Sequence, residues 1–132
     1  MKTALDSSVI LDVLVNDPSW AAASEVALRR AYSAGQLVIG ECVVAEITPA
    51  LGEGALDAFL SDWNIRFVPS TPESAGLAGR MYGQYLRRTR HGKRVLPDFL
   101  IGAHALCHAD CLLARDRGYY RDYFSKLKVL NP

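Results

Sequence analysis

Lys2-Thr3-Ala4-Leu5-Asp6-Ser7-Ser8-Val9-Ile10-Leu11 is the stretch whose reading decides the fold. Lys2 to Leu5 reads as a short strand. The chain then meets an acid, and from Ser8 to Val15 the pattern is that of a short helix. A strand that ends at a carboxylate and passes into a helix opens an alternating β/α chain. The same ending recurs near the other terminus, where the apolar run of Cys111-Leu112-Leu113-Ala114-Arg115-Asp116 again stops at an acid.

The residues between these two points keep the alternation. Ser19 to Ala34 is Ala-rich and stops at Gly35, which predicts a helix with a C-terminal glycine. Leu37 to Gly40 is a second strand, and Val43 to Leu51 a helix in which Pro49 predicts a break or kink. Leu56, Phe59, Leu60 and Trp63 recur at helical spacing, and Ile65 to Val68 is a third strand. Thr71-Pro72 is a helix start, with Thr71 as N-cap and Pro72 in the first turn of a helix reaching about Arg88. His91 to Arg94 is a polar turn, Pro97 to Ala109 a helix, Cys111 to Arg115 a fourth strand and Lys128 to Leu130 a fifth. No repeat or long linker divides the 132 residues, so residues 1–132 form a single domain.

Strands separated by helices imply crossover connections and a mainly parallel sheet, whose ligands bind beyond the carboxyl ends of the strands. Asp6 and Asp116 each follow a strand and emerge at that edge. Asp98 opens the helix leading into the last long strand, so its end of that helix lies at the same edge. Glu46 interrupts the apolar stretch after Cys42 and joins them if its helix also begins there. Carboxylates gathered among apolar neighbours lose hydration and repel one another, and a hard divalent cation relieves both costs. Mg²⁺, or Mn²⁺, is the expected cofactor, because both prefer oxygen ligands. Asp122 competes with Asp116 for the fourth place.

Composition removes several function classes. A net charge of +1 gives no global attraction to nucleic acid or to an anionic membrane. No apolar run nears the roughly 20 residues that span a bilayer, and Asp6 and Asp12 break what would be a signal-peptide core. Three cysteines, an odd number without framework spacing, fit a reducing, cytoplasmic setting. His104, Cys107, His108 and Cys111 suggest zinc, but ligands crowded onto one continuous helix cannot surround a tetrahedral ion. Trp20, Trp63, Tyr82 and Tyr85 are spaced to face a core or an interface, with core packing the default.

Taken in order, Leu5-Asp6-Ser7-Ser8-Val9, the mid-chain Glu46, Pro97-Asp98-Phe99-Leu100-Ile101-Gly102-Ala103 and Leu112-Leu113-Ala114-Arg115-Asp116, with Tyr120, Phe124 and a final strand, resemble the PIN-domain ribonucleases. The resemblance is greatest to the VapC-type toxins of bacterial and archaeal toxin–antitoxin pairs, and it covers nearly the whole chain. It implies a three-layer α/β domain with a five-stranded parallel sheet between helices. It also implies Mg²⁺ or Mn²⁺ held by acids, endonucleolytic cutting of RNA, a homodimer, and a small cognate antitoxin that blocks the acidic pocket. Ala114 departs from the family pattern, which usually has Thr or Ser there.

The sequence reading is thus a metal-dependent endoribonuclease with Asp6, Glu46, Asp98 and Asp116 as catalytic metal ligands. Ser8 is either a plain N-cap or a hydrogen-bond partner of a ligating carboxylate. Arg87, Arg88, Arg90, Lys93 and Arg94, together with Arg115, form an expected RNA-backbone rim, against the plainer reading of a solvated helix end. Two rivals stand beside it. One is a Mg²⁺-binding phospho-acceptor regulator, which usually pairs two acids after its first strand, where this chain has Asp6-Ser7. The other is a catalytically silent PIN-like module that binds RNA or protein.

Overall fold

The computed structural model describes residues 1–89 and 95–132. Five strands, β1 (Lys2–Leu5), β2 (Gln36–Ile39), β3 (Ile65–Phe67), β4 (Cys111–Leu113) and β5 (Val129–Leu130), form one sheet in the order β3-β2-β1-β4-β5. Every pairing is parallel. Parallel neighbours need long crossovers. Helices α1 (Ser7–Leu14), α2 (Ala21–Ala34), α3 (Glu41–Leu51), α4 (Leu56–Asp62), α5 (Pro72–Arg88), α6 (Leu96–His108) and α7 (Tyr119–Tyr123) supply them and flank the sheet. No helix among the described residues is long and apolar enough to cross a membrane.

Burial on both faces explains the near-continuous apolar strands. Leu5, Leu37, Ile39, Leu112 and Leu113 lie in the core with Phe99 of α6. Local chemistry sets the helix boundaries. Asp6, extended in backbone, caps α1 by accepting the amide of Ser8. Thr71 and Ser74 exchange a reciprocal capping box at the start of α5, with Pro72 in the first turn. Gly35 ends α2 where only glycine fits, because a Cβ there would stand 2.0 Å from the Met1 carbonyl oxygen. Pro49 does not break α3 as its sequence suggests. It lies in the last turn, and the helix runs on to Leu51 before Gly52 turns the chain at φ 81°.

The chain builds β1, β2 and β3 outward on one side, then returns across β1 to place β4 and β5 on the other. The order therefore reverses between β1 and β4. Ligands of open parallel sheets bind at such a reversal, beyond the carboxyl ends of the strands. Leu5 pairs with Leu113, and the Asp6 amide donates to the Leu113 carbonyl over 2.9 Å, so Asp6 leaves the sheet at that point.

Candidate functional site

A cavity of about 320 Å³ opens beside Asp6. Its walls come from four parts of the chain: Asp6, Ser7, Ser8 and Leu11 at the β1–α1 junction, Glu46 on α3, Asp98 on α6, and Arg115, Arg117, Tyr119 and Tyr120 after β4. Three of the four expected acids are thus brought together. Glu46 arrives because α3 begins two residues after β2 ends, at the same sheet edge.

Each carboxylate is held by a distinct set of donors. Asp6 is buried, and its Oδ1 accepts the Tyr120 hydroxyl at 2.7 Å. Its Oδ2 accepts the Ser8 amide at 3.1 Å and the Ser8 hydroxyl. Ser8 is therefore a partner of the carboxylate, and the cap of α1 is Asp6 itself. Ser7 Oγ donates to Glu46 Oε1 at 2.8 Å. Arg117 donates to Asp98 Oδ2 at 3.2 Å, from a largely exposed side chain. Glu46 Oε2 and Asp98 Oδ1 accept no protein hydrogen bond among the described residues.

Electrostatics show that these acids share one field. The Asp98 pKa is raised to about 6, first by burial, with the charges of Asp6 and Glu46 adding to it and Arg117 opposing. Tyr120 is pushed far above the ordinary phenol value, chiefly by burial and then by Asp6 and Asp98, so it stays a protonated donor. The half-buried Cys42 is raised to about 12 by burial and by Glu46, Glu41, Asp6 and Asp98. A thiol so disfavoured as thiolate is no nucleophile.

The donor set of three carboxylates fits a hard divalent cation, and Asp98's mutual repulsion with Asp6 and Glu46 is the cost that such a cation removes. Among the described residues, however, no three His, Cys, Asp or Glu side chains stand in an arrangement that would hold an ion as placed.

Asp116 does not line the cavity. Its Oδ1 accepts the amides of Gly118 at 2.8 Å and Tyr120 at 3.3 Å, and its Oδ2 accepts the amide of Arg121 at 3.1 Å. The carboxylate folds back on its own chain and organises α7, the helix that carries Tyr120. Asp122 is exposed and pairs with its neighbour Arg121. Neither acid is brought to the cavity wall.

The expected basic rim divides. Arg90, Lys93 and Arg94 lie outside the described residues. Arg87 and Arg88 are exposed in the last turn of α5, where cations suit the helix dipole, and Arg88 stands 5.5 Å over the Tyr123 ring. Arg115 does line the cavity, but its guanidinium is committed elsewhere. Its Nε and one terminal nitrogen clasp Asp12 at 2.8 and 2.7 Å.

Ser7 and Tyr119 on the cavity wall, and Asp12 behind Arg115, are unforeseen; Arg117 was expected only as an added positive charge near Asp116, and Tyr120 only as part of the resemblance. Asp12 had a visible signal, being the only charge in the apolar helix Ser7–Leu14 and one turn after Ser8. It is 2 % exposed and also accepts the Ser24 hydroxyl at 2.7 Å. Tyr119 stands in an aromatic cluster with Phe99, Tyr82, Tyr85 and Tyr123. That cluster fixes α7 against α5 and α6. Gly102 permits the approach, since a Cβ there would meet Phe124 at 2.7 Å and Tyr120 at 3.1 Å.

No protein-family model matches the sequence, and no curated protein gives a significant match. Solved structures do share the fold. VapBC2 of Rickettsia felis, bound to a DNA fragment from its promoter, superposes with a TM-score of 0.73 at 17 % identity, over 99 % of this chain and 98 % of that one. VapBC-1 of nontypeable Haemophilus influenzae gives 0.65 at 17 %, over 99 % and 98 %. FitAB bound to an IR36 DNA fragment gives 0.65 at 19 %, over 98 % and 94 %. The chain is thus similar along its whole length to proteins of the VapBC and FitAB complexes, in the α/β architecture expected of a PIN-like domain.

Proposed function

We propose that this chain is a metal-dependent endoribonuclease, the toxin of a toxin–antitoxin pair. One observation carries the reading. Asp6, Glu46 and Asp98 come from three separate elements and face one cavity where the strand order reverses, close enough that the charges of Asp6 and Glu46 add to the burial that raises the Asp98 pKa. Repelling acids in a shared cavity are a standing cost that a folded protein keeps for a use.

Asp6, Glu46 and Asp98 would hold Mg²⁺ or Mn²⁺ through their oxygens. Bound there, such an ion supplies a water of lowered pKa for in-line attack on a phosphodiester and offsets charge developing on its oxygens. Ser8 and Tyr120 fix both oxygens of Asp6, and Ser7 fixes one of Glu46. Arg117, exposed beside Asp98, is free to exchange that carboxylate for a substrate phosphate once the carboxylate is otherwise engaged. No side chain here serves as a covalent nucleophile.

The partner follows from the same resemblance. The solved structures named above are VapBC and FitAB complexes, and we extend to this chain a small cognate antitoxin; the homodimeric state is extended from the sequence resemblance alone. A silent binding module is the second reading, favoured by the absence, among the described residues, of a ready-made set of three ion-holding side chains. Purified protein mixed with total cellular RNA, with Mg²⁺, with Mn²⁺ and with EDTA, followed by mapping of the cut ends, separates the two. Metal-dependent internal cuts that vanish in Asp98→Asn support the nuclease. RNA left intact under both metals overturns it.

A further inference from the structure

Trp20 is one of two tryptophans that the proposed activity leaves unused. It was expected in the core, yet it is 39 % exposed. It is nevertheless held in place. Asp17 Oδ1 accepts the amides of Ser19 and Trp20 at 2.8 and 2.9 Å, fixing the backbone at the start of α2. The Arg115 guanidinium lies 5.0 Å from the ring centroid. That guanidinium is itself immobilised by its two bonds to Asp12, which Ser24 holds from the other side. The chain of contacts Ser24–Asp12–Arg115–Trp20 thus supports an indole on a fixed planar cation while part of the ring faces solvent. An exposed indole on a mobile side chain is ordinary; one buttressed through a buried carboxylate is built.

Its position gives it a use. Arg115 both lines the acidic cavity and touches Trp20, so a single side chain joins the indole to the cavity wall. A chain whose phosphodiester enters the cavity carries its next base about one side chain further on. Unpaired RNA bases stack on exposed aromatic rings, an interaction that tolerates any base and is denied to a base inside a duplex. We propose that Trp20 is a stacking platform for an unpaired base beside the scissile phosphate. The proposal rests on the nuclease reading for its choice of ligand.

The other tryptophan, Trp63, is remote from this network, packing on Tyr32 and Arg29, so Trp63→Phe leaves Trp20 as the sole tryptophan reporter. In that background a short mixed-sequence single-stranded RNA is titrated in EDTA, where no cutting is expected. Trp20 emission should be quenched on binding, and a duplex of the same sequence should leave it unchanged. Trp20→Leu should weaken single-strand binding about tenfold, and Trp20→Phe should restore most of it. An abasic site walked along the RNA should cost affinity at one register in the Trp20 protein and cost nothing further there in Trp20→Leu. A structural role for the indole would not produce that coupling.

The platform is overturned if Trp20→Leu, folded by its thermal melt, binds single strands as the parent does, or if duplex quenches equally. Those results leave the nuclease reading intact when metal-dependent cuts persist. Conversely, register-specific quenching with no cutting under any metal keeps the platform and removes the nuclease.

Discussion

Arg115 and Asp12, 103 residues apart in sequence, meet through two hydrogen bonds of 2.8 and 2.7 Å, the aspartate side chain buried and the arginine side chain one-third exposed. The asymmetry of burial decides what each substitution costs. Arg115→Ala leaves an unpaired buried carboxylate, whereas Asp12→Asn leaves a cation that can still reach water. Removing one partner of a buried pair costs about 3–5 kcal/mol. Arg115→Ala should approach that range, and Asp12→Asn should cost clearly less. Urea unfolding of both variants at neutral pH checks the order, and equal losses would contradict it.

Asp98→Asn should abolish Mg²⁺-dependent cleavage yet stabilise the metal-free protein above about pH 6. The folded Asp98 has its pKa raised to about 6, from an ordinary value of 3.8. Between those values the native state holds a proton that the unfolded chain has released, so wild-type stability falls as pH rises through the window. Asn has no such proton. The stability gap between variant and wild type in EDTA should therefore be small near about pH 4 and larger near about pH 7. A gap that shrinks with rising pH reverses the assigned cause.

Tyr120→Phe removes only the hydroxyl that Asp6 Oδ1 accepts at 2.7 Å inside the protein. A hydrogen bond to a charged group contributes about 1.5–3 kcal/mol, and a loss of that order is expected in denaturant melts. Cleavage should fall as well, because Asp6 loses one of the donors that orient it. A variant as stable and as active as the parent would show that the hydroxyl is idle.

Gly102→Ala adds one methyl group and no charge, but that methyl would stand 2.7 Å from Phe124 and 3.1 Å from Tyr120. Overpacking of this kind costs about 1–3 kcal/mol. Because Tyr120, the second of the two crowded rings, holds Asp6, activity should drop together with the melting temperature. Gly79→Ala on α5, where the added atom meets nothing within 4 Å, is the control, and it should stabilise by about 0.5–1 kcal/mol through helix propensity alone.

What was legible in the sequence is what depends on neighbours. The strands, the Thr71-Pro72 helix start and the glycine after α2 follow from local patterns, and the parallel sheet follows from their alternation. Convergence of Asp6 and Asp98 was legible too, because a strand end and a helix start fix where a side chain leaves the backbone. Asp116 shows where this stops. A carboxylate following a strand can face a cavity or turn back to its own amides, and here Gly118, Tyr120 and Arg121 take it. Those same bonds create α7, five residues too short to show a periodicity. The partnership of Asp12 with Arg115 spans most of the chain and leaves no spacing to read.

The central place of β1 bears on synthesis. Until residues 111–130 join it, β1 is an edge strand, its outer hydrogen bonds and the Asp6 carboxylate without the partners that β4 and Tyr120 bring. A nascent chain still lacking its last segment has one wall of the cavity missing. Closure of the cavity therefore waits on residues 111–120, and Asp6 is the residue whose partners are made last.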